Sequence, residues 1–155
     1  MILGQVNGQR LCQDGEESDP DKGGVGMPKA AEMRARMLSY LEAVEAGDAD
    51  AAAGLFADSI SMEDPVGGPP GTHVEGIEAV RAFLREGFAS TRPRPSRRGP
   101  VVTTRGDEAA MAFTLFLEIE GVTTEIDVID VMRFDEDHRV LSLRAFWNFT
   151  EARRA

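Results

Sequence analysis

The 155-residue chain predicts an α+β domain with helices packed on one side of a curved sheet, and three observations carry that class. Apolar residues recur at three- and four-residue intervals through the first half, then at every second residue beyond about position 108. Turn-forming residues separate the later segments. Helices first and long antiparallel strands afterwards give a segregated α+β arrangement rather than alternating βαβ units.

Residues 1–28 are polar and glycine-rich without apolar periodicity, so they read as a disordered tail ahead of a domain over residues 29–155. Met27 offers a second start, which makes the tail dispensable on this reading. From about Ala30, the stripe of Met33, Met37, Leu38, Leu41 and Val44 predicts an amphipathic helix closed by Gly47. Asp48 can cap a short second helix running through Ala51, Ala52, Ala53, Leu55 and Phe56. Residues 60–63 are extended, and the glycines and prolines of residues 64–71 exclude a helix there. A third helix fits residues 77–88, with Val80, Phe83, Leu84 and Phe88 apolar. The arginines and prolines of residues 92–98 read as a solvated connection. Met111, Phe113, Leu115, Leu117 and Ile119 then share one strand face, and Leu141, Leu143, Ala145 and Trp147 another. Gly121-Val122 and residues 136–138 supply the turns.

A net charge of −10, from 27 acids against 17 bases, argues against nucleic acid or an anionic membrane as partner. Cys12 is the single cysteine, and His73 and His138 lie far apart, so neither a disulfide nor a metal site is expected. There is no dinucleotide- or phosphate-binding glycine motif, no apolar run of membrane-spanning length and no signal-peptide start; a cytoplasmic protein is the expectation.

Three residues stand out for chemistry. Asp130 interrupts an apolar row, since period two puts it with Val128, Met132 and Phe134, while Asp127 and Arg133 point to the opposite face. A buried carboxyl without a cation beside it is held protonated, which makes it a hydrogen-bond donor at neutral pH. Asp64 opens the proline- and glycine-locked segment, so its carboxylate projects from a fixed base; Glu63 beside it points the other way. Tyr40 is the only tyrosine and lies beside the stripe of the first helix. Its hydroxyl, turned inward, would donate without carrying charge. Each has a plainer account as well: an edge-strand acid, a turn-initiating Asp, an amphipathic packing Tyr.

Taken in order, residues 37–48 around Tyr40, 55–58, 63–67 around Asp64, 127–136 around Asp130 and 144–147 match in spacing the bacterial steroid Δ5-isomerases, or ketosteroid isomerases. The chain resembles that family from about residue 30 to 150. The resemblance implies a homodimer of cone-shaped α+β domains with a curved mixed/antiparallel sheet and three helices of the N-terminal half packed on its concave face, the nuclear transport factor 2-like fold, with no cofactor or metal. It also implies that Asp64 is a general base moving a proton from carbon 4 to carbon 6 of a Δ5-3-ketosteroid. Tyr40 and Asp130 correspond to the donors that hold the 3-oxygen of the dienolate. A carboxylic acid kept neutral by an apolar site is a known property of ketosteroid isomerase, and the strand parity of Asp130 agrees with it.

Parity and resemblance together assign the substrate wall to Phe83, Met111, Phe113, Leu115 and Leu117, continued by Val128, Leu143, Ala145 and Trp147. One departure concerns the oxyanion network: where the family often carries supporting tyrosines, this chain has Phe56 and Leu84. Two other readings share the fold, an epoxide hydrolase/cyclase or polyketide cyclase using paired acids, and a non-catalytic binder of apolar polycycles.

Overall fold

A computed structural model describes residues 26–155, so residues 1–25 of the expected tail lie outside the described residues. Pro28 is buried and the Lys29 amide donates to His138 Nε2 at 3.0 Å, so packing begins slightly earlier than residue 29. Three helices follow: α1 (Ala30–Ala46), α2 (Ala49–Ala53) and α3 (Ile77–Thr91). Gly47 ends α1 with φ 65°, its amide donating to the Ala43 and Val44 carbonyls, and Asp48 caps α2 through a 2.9 Å bond from the Ala51 amide. The strands are β1 (Phe56–Glu63), β2 (His73–Glu75), β3 (Arg94–Arg97), β4 (Val102–Thr103), β5 (Glu108–Ile119), β6 (Val122–Phe134), β7 (Val140–Phe146) and β8 (Arg153–Arg154).

Several expectations need correction. Leu55 and Phe56 do not continue α2: Gly54 ends it, and Phe56 opens β1 as a buried residue of the sheet. α3 runs three residues beyond position 88, and the Ser90 and Thr91 hydroxyls bond back to the Gly87 carbonyl. The turn between β5 and β6 is Glu120-Gly121, both at positive φ, with Val122 already paired to Ile119. Within residues 92–98, Arg94 to Arg97 form β3, which pairs antiparallel with β5 (Arg94 with Phe116, Arg97 with Phe113). Proline is tolerated there because β3 is an edge strand. A register shift where β6 meets β7 breaks strict alternation, so Val140 joins Leu143 and Ala145 in the core while Leu141 is only half-buried.

The sheet order is β2-β1-β7-β6-β5-β3, with β4 on β5 and β8 on β6; the β1–β7 pair is parallel and the other pairs are antiparallel. It does not close, since β2 and β3 end the order, so the cone is a curved open sheet with the helices on one face. α1 packs on β3, β4 and β5, while α3 packs on β1, β2 and β5. One end is filled by Met33, Met37, Met62, Met111 and Met132, each at most 2% exposed. Unbranched thioether chains suit the irregular gaps between helices and a curved sheet.

Candidate active site

The space between α1, α3 and strands β5 to β7 is a cavity of about 310 Å³, of the size that holds small ligands. Tyr40, Asp64 and Asp130 all line it. Tyr40 reaches it from α1, seven residues on from Met33 and three from Met37, on the stripe that faces the sheet. Asp130 reaches it from β6, whose burial alternates strictly from Ile126 to Asp130, and is 2% exposed. Asp127 and Arg133 point outward, as parity requires; Asp127 accepts from the Thr114 hydroxyl and pairs with Arg153.

Asp64 is held by its loop. Its amide donates to the Thr72 carbonyl, the Val66 amide to the Ala145 carbonyl, and the Thr72 hydroxyl to the Pro69 carbonyl. Gly68 is needed in this turn, because a Cβ there would meet Thr72 Oγ1 at 2.6 Å. The Trp147 indole N–H donates to Asp64 Oδ1 at 2.5 Å and so fixes the carboxyl orientation. Glu63 takes no part, since it accepts from Arg144 Nε at 3.2 Å.

Electrostatics separates the three groups. Burial, reinforced by the charge of Asp64, pushes the Asp130 carboxyl well above the carboxylate range. Burial likewise raises Tyr40 far above an ordinary phenol, with Asp130 and Asp64 adding to it. Asp64 is raised by burial too, but the Trp147 hydrogen bond opposes the shift. All three are pushed toward their neutral forms, and only for Asp64 does a hydrogen bond oppose the push. No hydrogen bond joins Tyr40, Asp64 and Asp130 to one another among the described residues, so both donors remain available to an incoming oxygen.

Seven of the nine expected wall residues line the cavity: Phe83, Phe113, Leu115, Leu117, Val128, Ala145 and Trp147. Met111 and Leu143 do not, being packed in the core at 2% and 1% exposure. Val44, Leu84, Gly87, Phe88, Thr91, Pro93 and Ile126 complete the wall and were not anticipated as such. Helical spacing could have found several, because Val44 follows Tyr40 by four residues, Phe88 follows Leu84 by four, and Ile126 extends the Val128 row by one step of two. The Phe56 ring lies tilted against Tyr40 with centroids 5.9 Å apart, and Leu84 offers only hydrocarbon, so neither supports the Tyr40 hydroxyl as a tyrosine would. Among the described residues no three His, Cys, Asp or Glu side chains converge as metal ligands, and no helix is long and apolar enough to cross a membrane.

Removing the indole N–H has a definite sign. In Trp147→Phe the opposing hydrogen bond is lost, so the Asp64 pKa rises further and its carboxyl titration, followed by NMR, moves to higher pH. An unmoved titration would show that the bond does not tune Asp64.

A family model described as SnoaL-like domain matches residues 37–143. A steroid Delta-isomerase of Nocardioides simplex is 33% identical over 118 residues, 76% of this chain and 91% of the relative. Among solved structures, RV0760c of Mycobacterium tuberculosis, in complex with estradiol-17beta-hemisuccinate, superposes with a TM-score of 0.70 at 26% identity, covering 79% of this chain and 98% of that one. SalBIII, an epoxide hydrolase/cyclase-like enzyme in pyran ring formation of the polyether salinomycin, superposes with a TM-score of 0.72 at 22% identity over 81% of this chain and 97% of its own, a likeness of fold. Helix stripes, open sheet and sequence thus agree that the chain belongs to the SnoaL-like domain family of the nuclear transport factor 2-like superfamily, with a steroid Δ-isomerase among its relatives.

Proposed function

We propose that the protein is a steroid Δ-isomerase that converts Δ5-3-ketosteroids into their conjugated Δ4 isomers. The observation that carries this reading is the convergence of Tyr40, Asp64 and Asp130 on one otherwise apolar cavity. Asp64, as carboxylate, takes the proton from carbon 4, and the C–H electron pair moves into the ring to place negative charge on the 3-oxygen. Tyr40 and protonated Asp130 donate to that oxygen, the charge-matched arrangement that stabilises an oxyanion in a dry site. Asp64 then returns the same proton to carbon 6, so the carboxylate is regenerated and no cofactor is consumed. Trp147 holds Asp64 during both transfers. The steroid Delta-isomerase relative and the steroid-complexed neighbour support a substrate of this shape. The apolar wall disfavours epoxide hydrolysis, which requires a water held between the two acids. Mixing the protein with androst-5-ene-3,17-dione should produce the ultraviolet absorbance of a conjugated enone. Binding without that absorbance would replace the enzyme with a non-catalytic binder.

The same reading includes a homodimer. Ile129 and Phe146 are directly paired on the outer face of the sheet and are 49% and 42% exposed. An exposed apolar pair on a sheet face, with the Arg144 guanidinium 5.2 Å from the Phe146 ring centroid beside it, suits a second copy. Phe146→Asp is expected to shift the protein from dimer to monomer in light scattering after size exclusion; a native protein already monomeric at micromolar concentration would remove the dimer.

A further inference from the structure

Four arginines, Arg92, Arg94, Arg97 and Arg98, have no part in the proton transfer. Three are engaged: Arg98 Nε donates to Thr114 Oγ1 at 2.9 Å, Arg97 donates to the Gly99 carbonyl at 3.1 Å, and the Arg94 guanidinium lies 5.9 Å from the Phe116 ring centroid. The Arg92 side chain makes no hydrogen bond or ion pair among the described residues. Its backbone is also unusual, since it ends α3 at φ 45°, the left-handed region where glycine is the common choice.

Arg92 sits between Thr91 and Pro93, both of which line the cavity. It lines an adjoining cavity of about 290 Å³ that shares Phe88 and Pro93 as walls. The register of β5 on β6 locates this end. Asp130 is opposite Met111, Val128 opposite Phe113 and Ile126 opposite Leu115, so the cavity runs along the strands away from Asp130. From the Met111 row to the Leu115 and Leu117 rows is roughly 13 to 20 Å at the usual rise per residue. Exposure rises along the same path, from buried Phe113 to half-buried Leu115 and Leu117. A rigid polycycle with its oxygen at Tyr40 and Asp130 therefore presents its other end to Arg92.

We propose that Arg92 is a specificity residue that pairs with a carboxylate carried on that remote end of the substrate, an inference that takes the orientation of the ligand from the isomerase reading. Arg94, held against the Phe116 ring, lines the same adjoining cavity with Glu45 and Glu118, so two guanidiniums face two carboxylates and the net field there is weak. What selects the anion is the directed, bidentate guanidinium–carboxylate pair. Removing either acid should strengthen it.

The test uses 3-oxoandrost-4-ene-17β-carboxylate and its methyl ester as probes in calorimetric titrations of the full chain at low salt, where binding requires no turnover. The native protein is expected to bind the acid about tenfold more tightly than the ester, the size of one charge-assisted pair at a half-exposed site. Arg92→Gly, which suits the left-handed backbone, should level the two probes, and Glu118→Gln should widen the gap. Equal binding by the native protein, an unchanged preference in Arg92→Gly, or no binding of either probe overturns the proposal. Turnover of the corresponding Δ5 acid and ester is read separately. If neither isomerises while the acid preference still depends on Arg92, the isomerase reading falls and the anion subsite stands.

Discussion

Asp64→Asn should lower kcat for androst-5-ene-3,17-dione by about 10⁴-fold, the upper end of what a positioned general base contributes. An amide cannot take up the carbon-4 proton, and no neighbour can replace it. Burial pushes the Asp130 carboxyl well above the carboxylate range, away from the ionised form a base needs, and Glu63 is tied to Arg144. The geometry survives the change, because the asparagine carbonyl can still accept from the Trp147 indole. The loss therefore belongs in kcat, with KM little altered, as expected when an interaction confined to the transition state is removed. The pH profile gives a second readout. On the proposed mechanism only ionised Asp64 is active, and burial sets its pKa above that of an ordinary carboxylate, so native activity should fall as pH drops through that raised value. This limb should vanish in the residual activity of the variant. An asparagine variant within tenfold of native kcat would remove Asp64 from the mechanism.

How far the sequence carried this site depends on the kind of signal each residue gives. Asp130 was legible because period two is strict along β6 and the only neighbouring cation, Arg133, falls on the opposite face. Tyr40 and Asp64 were located by a helical stripe and a loop of restricted backbone, but each alone favoured a plainer account, and their candidate roles came from the family resemblance. Depth was not legible. Met111 shares a face with Phe113, yet lies one step beyond the cavity, in the methionine-filled core, because parity gives direction and not distance along the strand. Leu143 was misassigned for the same reason. The β6–β7 register shift was invisible because a bulge leaves no fixed residue signature. The strand at Arg94 to Arg97 was hidden by its prolines and charges, which an edge strand accepts and a central one does not. Trp147 was read as wall alone; its bond to Asp64 spans 83 residues and depends on a fold no local pattern encodes.

Asp130 should show opposite effects on catalysis and stability. Asp130→Leu removes a donor to the developing oxyanion and is expected to cost about 10²- to 10³-fold in kcat. Asp130→Asn keeps an N–H donor and should lose about tenfold, less than leucine because the donor remains although its acidity does not. Stability moves the other way. The folded state holds Asp130 protonated while the unfolded chain ionises it, so folding takes up a proton at every pH between the two pKa values. Its contribution is most favourable below the unfolded carboxyl pKa and is lost as pH rises toward the folded value, with a slope of about 1.4 kcal/mol per pH unit. Asp130→Asn escapes this term. Its stability in urea should exceed that of the native protein at pH 7, with the gap closing as pH falls toward 4. Parallel stability profiles for the two proteins between pH 4 and 8 would show that Asp130 is ionised in the folded state, and an ionised Asp130 could not donate to the oxyanion.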